Sequence, residues 1–324
     1  MVISREIDGV VYKINNNQTM ASDAYIIESI ETNKSDIVLP SAIDDKLIIG
    51  ISVGVLHNND KIKSITVPAS YSYLSSSCFE GAKVLEKVFF EPDSNIKSIP
   101  ARAFWECKEL SCIDLPDSIT DIGVFAFKGC EKLKTFVCPE NLEKIQIKAF
   151  KDSRIETFTI NKNLKAIATT LLDDTLCREV VVNNENKNFY SINGVLFNNN
   201  HHLILYPPGK TGNKYTVPEN TISIASYAFK NNFLKKIIIG NSVKEVEYNA
   251  FCYVPNLCSV VIASKNTQFN RNAFLGVPFG LKAKCPKNSV SLDVLKLDNI
   301  KITTADDLTS FIDGLSNNQN NKEK

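Results

Sequence analysis

The side chains able to do acid–base or nucleophilic work are few and scattered. There are three histidines. His201 and His202 fall in a predicted hairpin tip and His57 in a turn. None has a Ser or Cys beside it in the sharp strand-to-helix setting that exposes a catalytic nucleophile. Gly209-Lys210-Thr211 has the form of the end of a phosphate loop, but the position of the required upstream glycine is Ile204, inside a strand pattern. The nine cysteines show no Cys-x-x-Cys pair, so the spacing of a zinc site is missing. Glycoside cleavage needs two carboxylates across the sugar. Asp114 has no acidic neighbour in its row of strand positions, and Glu86, Glu156 and Glu179 occupy other rows. No catalytic residue, metal site or cofactor is therefore expected, and a glycan-active enzyme ranks below the non-catalytic readings.

The elements that hold these residues come from a repeat. Ala-Phe recurs as Ala103-Phe104, Ala126-Phe127, Ala149-Phe150, Ala228-Phe229, Ala250-Phe251 and Ala273-Phe274, with Cys78-Phe79 as a variant. With Leu56 and Leu172 in the same slot, the steps are 23, 25, 23, 23, 22, 57, 22 and 23 residues. A period in the twenties signals a solenoid whose coils bury their apolar edges against one another. The slot residues Leu56, Phe79, Phe104, Phe127, Phe150, Leu172, Phe229, Phe251 and Phe274 are the expected repeat core. Each buried Phe contributes roughly 1.5–3 kcal/mol. The long step holds one coil plus an insertion of about 34 residues.

Each coil also carries a short strand of pattern apolar-x-x-apolar-x-apolar, often closed by Pro, as in Ile62 to Pro68, Leu110 to Pro116 and Leu133 to Pro139. Proline lacks the N–H a ladder needs, so it ends each strand at the same place. A second short apolar segment follows, such as Ile96 to Ile99 or Val243 to Val246. The expected fold is thus a mainly β solenoid of the leucine-rich-repeat type, with short parallel strands stacked in about nine or ten coils. Ten strands about 4.8 Å apart span roughly 45 Å.

The motif Ile119-x-x-Ile122-Gly123-x-x-Ala126-Phe127-x-x-Cys130, together with the strand-Pro punctuation, closely resembles the BspA-like leucine-rich repeats. So does the hairpin Ser191 to Phe197 with Tyr206-Pro207-Pro208-Gly209-Lys210. The resemblance covers about residues 37–286. It implies a surface antigen or adhesin of a host-associated microbe, binding extracellular-matrix proteins or other cells. Surface location is expected on that resemblance alone, since no apolar signal core follows Met1 to Glu6 and no run spans a bilayer. An intracellular scaffold using the same surface is the alternative.

The layout expected is an N-terminal hairpin cap over 1–36, repeats over 37–182, a hairpin insertion over 183–215, repeats over 216–286, a C-terminal cap over 287–315 and a disordered tail over 316–324. Within the cap, residues 305–315 fit an amphipathic helix with Leu308, Phe311, Ile312 and Leu315 on one face. Tyr190 to Phe197 is read as one strand pairing with Leu203 to Tyr206. Ile192-Asn193-Gly194-Val195 echoes Ile7-Asp8-Gly9-Val10, as a duplicated unit would.

Charge excludes some partners. With 37 basic and 36 acidic residues the net charge is +1, which gives no footprint for nucleic acid. Cys107 and Cys130 stand three residues after the repeat Phe, a slot that takes small residues, and are read as buried thiols. Stacked on adjacent coils, they are also the pair to test for a disulfide in an oxidising compartment. The outward position between the last two apolar residues of each strand reads Thr66, Phe89, Asp114, Val137, Thr159, Val181, Ile238 and Val261. This row is the candidate partner-binding stripe, rimmed by Lys63, Lys134, Arg178, Lys235 and Lys236. β-Propensity alone also favours such residues in strands. On the stripe reading, Val137→Arg with Ile238→Arg abolishes binding and leaves the fold intact.

Overall fold

The short strands and Ala-Phe turns close into coils whose backbone bonds run to the next coil. The computed structural model describes residues 2–16, 24–297 and 300–305. The helix expected over 305–315, apart from Ala305, and the polar tail over 316–324 lie outside them. The chain divides into two units, Met1–Thr175 with Val182–Lys187, and Leu176–Val181 with Asn188–Lys324. About 12 turns of mainly β solenoid are counted over the two units. That exceeds the nine or ten expected because some turns carry no Ala-Phe pair.

In the first unit, Val2–Ile7, Val10–Asn16 and Tyr25–Thr32 form an antiparallel meander. Ile7 faces Val10 across Asp8-Gly9, both at positive φ, which is the turn that matches strand twist in a two-residue hairpin. Tyr25–Thr32 then pairs in parallel with Lys46–Ile51, passing the meander into the coils. Asp36–Val38, Ser64–Val67, Lys87–Phe90 and Cys112–Ile113 stack as one parallel sheet with Ile37, Ile65, Val88 and Ile113 in a column. Thr135–Val137 and Thr157–Ile160 belong to a separate sheet. The two-residue strands Ser98–Ile99, Asp121–Ile122, Lys144–Ile145 and Ala166–Ile167 align Ile99, Ile122, Ile145 and Ile167 on the second side of the coil.

The Ala-Phe turn forms the third edge, and its shape comes from two left-handed residues per coil. Arg102 and Glu106 flank Ala103-Phe104, Phe125 and Gly129 flank Ala126-Phe127, and Lys148 and Asp152 flank Ala149-Phe150, all near φ +60° except Gly129 at +74°. Backbone bonds join these turns directly: Phe104 N–H donates to Ala126 O at 2.8 Å, and Phe127 N–H to Ala149 O at 2.8 Å. The rings stack at the coil spacing. Phe79–Phe104, Phe104–Phe127 and Phe127–Phe150 have centroids 5.2, 5.2 and 5.1 Å apart. Gly123 permits the close contact, because a Cβ there would lie 2.6 Å from the Ala101 nitrogen.

The second unit repeats the scheme. Phe189–Ile192, Val195–Asn198 and His202–Leu205 form an antiparallel run. The single strand expected over 190–197 is instead two, because Asn193 and Gly194 at φ 49° and 75° reverse the chain and Ile192 faces Val195. His202–Leu205 continues in parallel to Ser223–Ile224, Glu245–Val246 and Gln268–Phe269. Lys214–Thr216, Lys236–Ile239, Ser259–Ile262, Lys282–Pro286 and Lys301–Ala305 form its other parallel sheet. A one-and-a-half-turn helix, Leu292–Leu297, precedes the last strand and was not expected. The aromatic ladder here is Tyr206, Phe229, Phe251, Phe274, with centroids 5.1, 5.0 and 5.1 Å apart. Tyr206 fills the slot left open by the 57-residue step, and its N–H donates to Ala228 O as a repeat Phe does.

Candidate protein-binding surface

Strand alternation builds the candidate surface of the first unit. In Ser64–Val67 and Thr157–Ile160 the residues alternate half-buried and buried. Ile65, Val67, Phe158 and Ile160 point into the core, so Thr66 and Thr159 face outward. Phe89 lies beside Thr66 in register and is 40% exposed. Val137 lies beside Thr159 and is 67% exposed. Asp114 is exposed. Val38 joins the row next to Thr66 at 64% exposure. The sequence reading missed it, although Ile37-Val38-Leu39-Pro40 carries the same strand-Pro punctuation as Ile65-Thr66-Val67-Pro68.

Two residues upstream, the neighbouring outward row is polar. Ser35 and Ser64 both donate hydroxyl bonds to Asp36, holding its carboxyl below the ordinary carboxylate range. Lys63 pairs with Glu86 at 3.1 Å at the rim. The apolar members Val38 and Phe89 thus stand in a polar frame, as protein-contact patches often do.

The second unit departs from the expected stripe. Val181 is 43% exposed, but Ile238 and Val261 are 0% and 2% exposed. They form a small apolar cluster with Ala263, against which Ala305 packs, on the opposite face from Ile237, Ile239, Val260 and Ile262. The physical reason is legible in the strands. Lys236-Ile237-Ile238-Ile239 and Ser259-Val260-Val261-Ile262 are continuous apolar runs, which is the mark of parallel strands covered on both faces. Ile238 and Val261 are therefore removed from the accessible stripe. All nine expected core slots, from Leu56 to Phe274, are buried at 3% exposure or less.

The chemical candidates fall where structure uses them otherwise. His201 Nδ1 lies 3.0 Å from Tyr190 Oη and 3.4 Å from Asn220 Nδ2. Gly209 N–H donates to Cys177 O, and Lys210 Nζ to Asn193 O, which ties the Pro-Pro-Gly turn to the hairpin. Loops of the first unit gather Glu91, Asp93, Asp114 and Asp117 around an open groove of about 710 Å³. Two of those carboxylates hold the backbone, Glu91 accepting from Ala69 N–H and Asp117 from Glu140 N–H. Among the described residues, no group of three His, Cys, Asp or Glu is placed to hold a metal ion.

Cys107 and Cys130 are free and fully buried. Their thiols donate to Phe79 O and Phe104 O at 3.0 and 3.3 Å, a second ladder beside the rings. Burial pushes the Cys107 thiol up to about 12 and raises Cys130 well above its ordinary value. Cys112 and Cys258 are the exposed thiols.

Residues 50–177 and 210–310 match the profile of the BspA type leucine rich repeat region, in six copies. No curated protein matches the chain in sequence. Among solved structures, the pneumococcal vaccine antigen PcpA superposes with a TM-score of 0.67 at 23% identity, covering 94% of this chain and 98% of that one. A leucine rich cell surface protein from Faecalibacterium prausnitzii gives 0.62 at 19% identity, with 94% and 95% covered. A leucine-rich repeat protein from Bacteroides ovatus gives 0.56 at 18%, with 92% and 76% covered. At these identities the likeness is one of fold. No helix among the described residues is long and apolar enough to cross a membrane.

Proposed function

The chain belongs to the BspA-type leucine-rich-repeat family, and from that premise we propose that it is a non-catalytic protein-binding solenoid acting as a surface antigen or adhesin. Its binding surface is the outward strand row of the first unit: Val38, Thr66, Phe89, Asp114, Val137 and Thr159. The supporting observation is the exposure of Val38, Phe89 and Val137 on strands whose other face is core. Large apolar side chains held outward on a rigid sheet lose little entropy on binding, so contact area converts efficiently into affinity. The partner is an extracellular-matrix or cell-surface protein. The pneumococcal vaccine antigen PcpA and the cell surface protein of Faecalibacterium support that choice by their fold.

Purified protein passed over immobilised fibronectin, laminin and collagen gives a saturable response to at least one of them. A flat response on all three contradicts the matrix assignment. Antibody labelling of intact source cells tests location separately. Signal confined to permeabilised cells favours an intracellular scaffold that uses the same row.

A further inference from the structure

The Ala-Phe edge of the first unit carries a second cluster, away from the sheet rows. Trp105, the sole tryptophan, is half-buried there. Arg102 lies 4.7 Å from its ring and Lys128 4.9 Å. Its ring stacks on Phe125 at 6.2 Å, and Lys128 reaches Phe125 at 5.8 Å. Phe125 occupies a left-handed position, φ 57°, a slot that other coils fill with Gly54, Ser77, Arg102, Lys148, Tyr227, Asn249 or Asn272. The left-handed φ is thus a property of the repeat; what this coil adds is a ring beside Trp105. Phe125 does no core work from this position; its ring lies on the outside of the turn with Trp105.

The charges around these rings are unbalanced. Glu106 accepts from Trp105 Nε1 at 3.2 Å and lies 3.9 Å from Lys108. Asp152 is engaged by Lys151 at 3.3 Å and lies 4.0 Å from Lys128. Arg102 and Lys148 have no carboxylate partner among the described residues, and exposed Ile147 stands beside Lys148. Arg102 and Lys148 occupy the same slot two coils apart, a rise of about 10 Å at ~4.8 Å per coil, close to the ~9 Å that separates residues three apart on one face of an extended polyproline II chain at ~3.1 Å each. Tryptophan and arginine are the residue types that most often anchor protein interfaces.

We propose that this edge is a second binding site, taking an extended acidic polypeptide segment. Carboxylates three residues apart meet Arg102 and Lys148, and the intervening side chains lie on Trp105 and Phe125. The site is independent of the sheet row, so either stands if the other fails.

Trp105 is its own reporter. N-acetylated octaglutamate titrated into the full chain gives a saturable change in tryptophan emission, weakened at least tenfold by 0.5 M salt. The double variant Arg102→Glu with Lys148→Glu, checked for an unchanged circular dichroism spectrum and melting temperature, binds at least tenfold more weakly. An emission change equal with octalysine, no change with octaglutamate, or undiminished binding by the folded double variant overturns the proposal. So does saturable binding of a heparin octasaccharide with none of octaglutamate, which assigns the cations to a sulfated glycan. Should the double variant melt early, Arg102→Ala alone, which keeps every other cation, is expected to weaken binding about threefold or more, and no weakening contradicts the site.

Discussion

A buried ring every 23 residues or so sets the geometry of each coil. Phe127 contacts Phe104 and Phe150 in its own ladder and Phe136 on the strand. Phe127→Ala empties that junction and is expected to cost about 3–5 kcal/mol, read as a lowered urea midpoint. Gly123→Ala drives a Cβ to 2.6 Å from backbone, with no side chain that can yield, and is expected to lower the midpoint as well. These slots were legible because one residue type filled them. Tyr206 was not, since Leu205-Tyr206 replaces the Ala-Phe pair that marked the period. The left-handed flanking positions were also silent: Arg, Phe, Lys, Tyr, Asn and Gly all occupy them, at a cost of roughly 1–2 kcal/mol for non-glycine residues. The thiols give a further expectation. Cys107, Cys138 and Cys177 are pushed up to about 12 by burial. At pH 8 a thiol reagent is expected to label Cys112 and Cys258 quickly and the buried cysteines only after denaturation. Their folded values lie above the unfolded one, so stability is full below about pH 8.5 and falls as pH rises from there towards 12. Flat stability between pH 8 and 11 contradicts this reading.

At the scale of the strand, alternation decides which face is free. Ser64-Ile65-Thr66-Val67 puts one side in the core and leaves the other open, whereas Lys236-Ile237-Ile238-Ile239 is apolar on both. Counting only the position between two core residues therefore found Phe89 and Val137 correctly as exposed but wrongly placed Ile238 and Val261 beside them. The information was present in the flanking residues, not in the slot. Ile238→Arg now belongs to stability: it buries an unpaired charge, and a loss of more than about 4 kcal/mol is expected in denaturant melts. Val137→Arg changes an exposed side chain and should shift stability by less than about 0.5 kcal/mol. Equal losses for the two variants would mean that the exposure difference does not describe the protein in solution.

For the molecule as a whole, the repeat period and strand punctuation carried the architecture, because a solenoid is specified by local pattern repeated many times. Function is carried by the few positions where the repeats differ, which periodicity cannot rank. A net charge of +1 supplies no long-range steering. Binding by the apolar row of the first unit should accordingly change little between 0.05 and 0.5 M salt, in contrast to the cationic Ala-Phe edge. The row itself is the central claim, and the affinity of the double variant Phe89→Arg with Val137→Arg for a matrix protein that the wild type binds is its most direct measurement. With the circular dichroism spectrum unchanged, the account predicts a loss of about 2 kcal/mol or more, roughly 30-fold in Kd. Wild-type affinity in the folded double variant would contradict it.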